Sequence, residues 1–157
     1  MIRKNIWNLV FILVIFGIDR LSKIFIINSA ETYGELEIFV LSFLNFHLIW
    51  NDGIAFGLFS FEKKIYYNLM TILIVIITLV ILWMIIRTEK IEKLAFMMIF
   101  GGSIGNIFDR LYYSSVPDFI DIHFNNFHWF IFNVADIFIT LGVIILIYLE
   151  IFSKKKI

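Results

Sequence analysis

From Ile65 to Ile86 the chain carries no charged side chain and is dominated by Ile, Leu and Val. A helix of about 20 apolar residues spans the hydrocarbon core of a bilayer. In lipid a backbone must also satisfy its own polar groups, which leaves helices and closed barrels as the spanning forms. Three further segments qualify: about Ile6–Leu21, Leu94–Leu111 and Trp129–Phe152, the first and third marginal because each carries charge at one end. The hydrophobic fraction of 61% and mean hydropathy of +0.94 exceed the roughly 45–50% apolar content of a soluble domain. The expectation is one all-α membrane domain over residues 1–157, built on four transmembrane helices. The start, Met1-Ile2-Arg3-Lys4-Asn5, imitates a signal peptide. It has no small-residue cleavage site and its apolar run ends in Asp19-Arg20, so it reads as a retained span.

Positive charge orients the spans. Arg3 and Lys4 precede the first, Arg87, Lys90 and Lys93 join the second to the third, and Lys154, Lys155 and Lys156 close the chain. An even number of spans puts all three clusters on one face, so both termini are expected in the cytoplasm. Ser22–Lys64 and Tyr112–His128 then face outward, with Lys63 and Lys64 as exceptions to the bias. Net charge is +0 and there is no cysteine. The first argues against a nucleic-acid partner. The second excludes disulfides, thiolate metal sites and a cysteine nucleophile.

Helical rise of about 1.5 Å per residue places the polar residues in depth. Asp109 lies roughly 24 Å beyond Lys93, and Asp19 roughly 20 Å into the first span. Asn133 and Asp136 fall at the start of a span that begins outside, and Asp118 lies just before it. All converge on one layer near the outer leaflet. A carboxylate in mid-membrane costs about 2.5–3.5 kcal/mol on insertion scales, so such a residue is a functional candidate. Two that meet suggest a pair sharing one proton.

Each constellation has a plainer reading. Asn106, Asp109 and Arg110, spaced i, i+3, i+4, could be helix-end groups pairing at the interface, and a structural ion-pair role suits Asp109 and Arg110. Asp19 and Lys23, at i, i+4, can pair as support. Gly101, Gly102 and Gly105 include a Gly-x-x-x-Gly spacing that lets helices approach closely. Leu44–Trp50 mostly alternates, as a half-buried strand does. Ile122–Trp129 reads as a short hairpin or interfacial loop with an Asn125-Asn126 turn. His47, His123 and His128 have no ligand spacing, so no metal is expected. Ser103, Ser114 and Ser115 lack an obvious nearby base.

Five ordered blocks are similar to those of the lipoprotein signal peptidases, or type II signal peptidases. They are Asp19-Arg20-Leu21-Ser22-Lys23, Asn51-Asp52-Gly53-Ile54-Ala55-Phe56, Gly105-Asn106-Ile107-Phe108-Asp109-Arg110, Val116-Pro117-Asp118-Phe119 and Phe132-Asn133-Val134-Ala135-Asp136. The resemblance implies an aspartic endopeptidase of the bacterial inner membrane, acting as a monomer without a cofactor. It would remove the signal peptide of prolipoproteins just before a diacylglyceryl-modified cysteine, with membrane lipid around it. It implies catalysis by Asp118 and Asp136. Asn51, Gly53, Asn106, Asp109, Arg110 and Asn133 would shape the site, and Asp19 and Lys23 would support it. It also implies a small extracytoplasmic sheet cradle with an amphipathic segment over the cleft. Pro117 and a third nearby carboxylate, Asp121, depart from the pattern.

The implied chemistry suits the residues: one carboxylate takes a proton from water while the other, protonated, polarises the scissile carbonyl. A proton- or ion-coupled transporter would use the same acids. It would need a polar path, and Ile72–Val80 and Val143–Ile147 offer none. A non-catalytic assembly subunit leaves the convergence of Asp118 and Asp136 unexplained.

Overall fold

The computed structural model describes residues 2–34, 37–53, 64–125 and 127–153. The amphipathic segment expected within 54–63, Asn126 of the expected turn, and the Lys154–Lys156 tail lie outside the described residues, as do the side chains of Arg3 and Lys4. In chain order the elements are α1 (Ile2–Tyr33), β1 (Glu37–Leu41), β2 (Leu44–Asn51), α2 (Lys64–Arg87), α3 (Lys90–Tyr113), β3 (Val116–Phe124), β4 (Phe127–Phe132) and α4 (Val134–Ser153).

Among the described residues, three helices are long and apolar enough to cross a membrane, over Ile65–Arg87, Lys90–Tyr113 and Val134–Phe152. Their outer faces, such as Ile72, Ile76 and Leu79 of α2, stay exposed. Lipid, not protein, is the natural cover for such a face. Polar side chains within α2 are satisfied locally: Thr71 and Thr78 hydroxyls donate to the carbonyls of Tyr67 and Ile74 at 3.0 and 2.8 Å.

Two expected boundaries are corrected. The first span was placed at Ile6–Leu21, but α1 continues to Tyr33. Its charged residues do not end the helix, because they are neutralised inside the protein. At about 1.5 Å per residue α1 is about 48 Å long, more than a bilayer core needs. The fourth span was placed from Trp129, but Phe127–Phe132 forms β4 and the helix begins at Val134. Aromatic and β-branched residues favour strands, and an apolar run alone does not distinguish strand from helix. The fold is therefore helix-rich and carries a small four-stranded sheet, as the resemblance implied.

That sheet is an antiparallel meander in the order β1-β2-β3-β4. The strand expected at Leu44–Trp50 is β2, one residue longer. Its register sets Ile49 against Asp118 and Asn51 against Val116. The outer part of α1 anchors the sheet, with Ile26 and Phe119 buried together and Phe46, Leu48 and Val134 packed around them. Deeper in the bundle, Ile12, Ile85 and Met97 join α1, α2 and α3.

Glycines on α3 set the spacing of the bundle. A Cβ on Gly101 would meet Ile15 of α1 at 2.9 Å, and one on Gly102 would meet the Ala135 carbonyl of α4 at 2.5 Å. One on Gly105 would meet Asp19 Oδ2 at 2.5 Å. The expected close approach is thus made to two helices at once. α3 ends at Ser114 in the left-handed conformation, φ 59°, which turns the chain straight into the strand that carries Asp118.

Candidate active site

The site grows from the first turn of α4. Asn133 caps the helix, and Asp136 is its third residue. The Asp136 N–H donates to Asn133 Oδ1 and the Asn133 N–H donates to Asp136 Oδ2, each at 3.2 Å. This reciprocal pattern is a capping box. It fixes the Asp136 carboxylate at the positive end of the helix dipole. The next free N–H, that of Ala135, donates to Asp19 Oδ1 of α1 at 3.0 Å.

With its Oδ1 occupied, Asn133 presents its Nδ2 to Asp118 Oδ1 at 2.6 Å. Asn51 is oriented by the same logic. Its Oδ1 accepts from the Gly53 N–H at 2.8 Å, so its Nδ2 donates to Asp118 Oδ2 at 2.7 Å. Asn106 completes the set: its Oδ1 accepts from Lys23 Nζ at 2.8 Å, and its Nδ2 donates to Asp136 Oδ1 at 2.9 Å. All four carboxylate oxygens of Asp118 and Asp136 therefore receive one N–H each.

Behind Asn106 lies a charge cluster. Lys23 Nζ is 3.0 Å from Asp19 and 2.7 Å from Asp109 Oδ2. Arg20 pairs with Asp19 at 3.2 Å and with Asp109, and its guanidinium lies 4.9 Å over the Phe108 ring. Lys23, Asp19 and Asp109 are fully buried. The expected Asp19–Lys23 pair and the ion-pair role of Asp109 are both seen. Arg110 behaves differently: it donates to the Gly53 carbonyl at 2.9 Å, tying α3 to the end of β2. Arg20 was passed over, since an Asp-Arg neighbour pair does not by itself say that both turn inward.

Asp118 and Asp136 share one cavity of about 430 Å³ with Asn51, Asn106, Arg110 and Asn133. Ser103 and Thr140 also line it without having been singled out. Its other wall is apolar, from Ile74, Ile139, Val143 and Ile144. Val143 and Ile144 are exposed on the outer face of α4, so this wall opens toward the membrane side. On β3, burial and then the neighbouring Asp136 charge push the Asp118 carboxyl from 3.8 up to about 6, against the opposing pull of Asn51, Asn133 and Lys23.

The structure thus brings Asp118 and Asp136 onto one cavity, each held by side-chain amides. Residues 11–152 match the family Signal peptidase (SPase) II. The chain belongs to the signal peptidase II family. It is 51% identical over 154 residues to the lipoprotein signal peptidase of Pelagibacter ubique (strain HTCC1062), covering 98% of this chain and 93% of that one. It is 41% identical over 133 residues to the lipoprotein signal peptidase of Francisella tularensis subsp. novicida (strain U112), covering 81% and 83%. A bacterial membrane enzyme structure obtained by the in meso method at 2.3 Å resolution superposes with a TM-score of 0.74 at 27% identity, over 95% of this chain and 91% of that one. The protein is thus a membrane peptidase of the signal peptidase II family.

Proposed function

We propose that Asp118 and Asp136 are the catalytic pair of a membrane aspartic endopeptidase. It removes signal peptides from prolipoproteins on the N-terminal side of a diacylglyceryl-modified cysteine. The observation that carries this reading is the sharing of one cavity by two buried carboxylates whose four oxygens are each held by an N–H. Such a pair shares a proton. Asp118, with its carboxyl raised to about 6, is suited to hold it.

The reaction then follows. The ionised member takes a proton from water as its oxygen attacks the scissile carbonyl carbon. The protonated member gives its proton to the carbonyl oxygen. Collapse of the tetrahedral species breaks the C–N bond: the proton gained from water passes to the leaving amine, and a hydroxyl proton returns to the carboxylate that had given its own, which restores the singly protonated pair. The asparagines hold both carboxylates before substrate arrives, which is the preorganisation that makes electrostatic catalysis effective. The apolar wall of Ile74, Ile139, Val143 and Ile144 suits an acyl chain that stays in the bilayer while the peptide reaches the carboxylates.

The full topology belongs to the same reading: one domain of four spans in the bacterial inner membrane, both termini cytoplasmic, the site near the outer leaflet, the chain acting as a monomer. In this reading α1 is the fourth span, and because Asp19 and Asp109 offset Arg20 and Lys23, its charges enter the membrane as a neutral, mutually paired group. A polar path across the bilayer, which a transporter would require, is absent from the described inner halves of α2 and α4.

The test is cleavage of a lipid-modified prolipoprotein by the purified full-length protein. Asp118→Asn and Asp136→Asn should each abolish it while expression and insertion persist. Near-normal turnover by either variant refutes the assignment.

A further inference from the structure

We propose that Asp121, His123 and His128 form a binding site for a divalent transition metal of the zinc type on the β3–β4 hairpin. Sequence spacing hid this cluster, because His123 and His128 are brought opposite each other only by strand pairing. Their rings stack at 5.1 Å between centroids. Asp121 precedes His123 by two positions, on the same strand, and its Oδ2 lies 2.8 Å from His128 Nδ1. One ligand atom from each of the three lies within 4.8 Å of the others.

An ordinary Asp–His ion pair explains only part of this. Asp121 is 4% exposed, yet its Oδ1 has no hydrogen-bond partner among the described residues. The buried Nδ1 of His123 has none either. Asn45, directly across from Asp121 on β2, has a third such atom in its Oδ1. These three atoms, all able to act as electron-pair donors, belong to two members of the cluster and to the residue opposite one of them. A cation held by Asp121 and His123 would give buried groups of both a partner.

The geometry is within reach. Zinc binds imidazole nitrogen at about 2.0–2.1 Å and carboxylate oxygen at about 2.0–2.2 Å, so tetrahedral ligands sit about 3.3 Å apart. The Asp121–His128 contact must open by roughly half an ångström to reach that spacing. The His128 side chain is 55% exposed, which leaves room on its solvent side for that shift. Two histidines and one carboxylate leave a fourth position for water or for Asn45. Each ligating nitrogen must present a lone pair, so the proton shared between His128 and Asp121 leaves to solvent on binding.

None of the three touches the carboxylates of Asp118 or Asp136, so the site is separate from the proposed catalytic pair. It does sit on the hairpin that joins them: Asp118 lies on β3, and β4 runs into Asn133. A bound metal would clip these strands together and stiffen the frame that holds both carboxylates.

Full-length protein in detergent, stripped with chelator, would be titrated with zinc by calorimetry and with cobalt by visible absorption. The expected result is one metal per chain. His123→Gln and His128→Gln should each weaken binding about 100-fold or more, whereas His47→Gln, on β2 outside the cluster, should not. Zinc X-ray absorption on the unmodified chain, which needs no variant to fold, should show two imidazoles. Fewer than two imidazoles, absence of stoichiometric binding, or affinity unchanged in both variants overturns the proposal.

Discussion

The raised Asp118 carboxyl makes a prediction about stability that does not depend on any substrate. The folded protein holds the Asp118 proton up to about pH 6, whereas the unfolded chain releases it near 3.8. Between those values the native state binds more protons than the unfolded state, so stability falls as pH rises. Two pH units at about 1.4 kcal/mol each amount to about 3 kcal/mol. This contribution is fully present at acidic pH and lost above about pH 6. Asp118→Asn removes the titration. It also turns an NH₂ toward Asn51 Nδ2 or Asn133 Nδ2, both of which donate to Asp118. That mismatch costs about 1–3 kcal/mol and does not vary with pH. The variant should therefore be less stable than the parent near pH 4 and equal or more stable near pH 8. The gap between the two should change by about 3 kcal/mol across the range. Unfolding in mixed micelles, followed by tryptophan fluorescence at stepped pH, measures it. A gap that stays constant with pH refutes the reasoning, because Asp118 would then titrate alike folded and unfolded. The same titration should appear in activity, as an alkaline limb of kcat/KM set by the upper step of the pair, provided chemistry limits the rate.

Four further outcomes are expected. Gly102→Ala presses a methyl onto the Ala135 carbonyl and should cost about 1–3 kcal/mol by overpacking, whereas Gly17→Ala, with open space around its Cβ, should be neutral or gain up to about 1 kcal/mol of helix propensity; thermal unfolding in detergent compares them. Asp109→Ala strips Lys23 and Arg20 of a shared partner and should lose about 3–5 kcal/mol together with activity, and full stability with no activity would instead give Asp109 a chemical role. In this cysteine-free chain, a membrane-impermeant thiol reagent on intact cells should label Tyr33→Cys and spare Glu89→Cys, and the reverse pattern would invert the proposed topology. Cleavage should survive chelation, since the proposed catalytic carboxylates are held by amides and the proposed metal cluster lies apart from them; activity lost to chelator and restored by zinc would overturn the proposed metal-free mechanism.

The candidate site was more legible in the sequence than the element boundaries around it. Depth along a helix is linear in residue number, so Asp19, Asp109 and Asp136 could be brought to one layer by counting; the structure joins the first two through Lys23 and reaches Asp136 through Asn106. The start of α4 could not be found that way. Trp129–Phe132 runs apolar toward the helix that follows, and only pairing with β3 makes it a strand. The end of α1 was misjudged for a related reason. Asp19, Arg20 and Lys23 look like a boundary until Asp109, 86 residues from Lys23, takes up positive charge from the far side. Arg110 was misread because its partner is a backbone carbonyl, which no side-chain pattern advertises. The Asp121–His123–His128 cluster was invisible because cross-strand register, including the irregularity between Asp121 and His123, decides who faces whom.

The asparagines explain how a buried lysine can sit so near a carboxylate pair without disabling it. An ammonium in direct contact with one carboxylate favours its ionised form, and a pair held fully ionised has no proton to give the substrate carbonyl. Lys23 does not make that contact. Asp19 and Asp109 absorb its charge, and what reaches Asp136 is the neutral Nδ2–H of Asn106, turned there because Lys23 holds the other end of the amide. Asn133 and Asn51 are likewise turned by backbone N–H groups toward Asp118. Each asparagine converts a fixed structural element, whether ion cluster, helix cap or strand end, into one oriented and uncharged donor. Asp in its place would add a third negative charge to the pair, and Gln would carry the donor one methylene too far. In the proposed reaction the two carboxylates are thus positioned from α3, α4 and β2 by uncharged donors, which leaves the pair a proton to give.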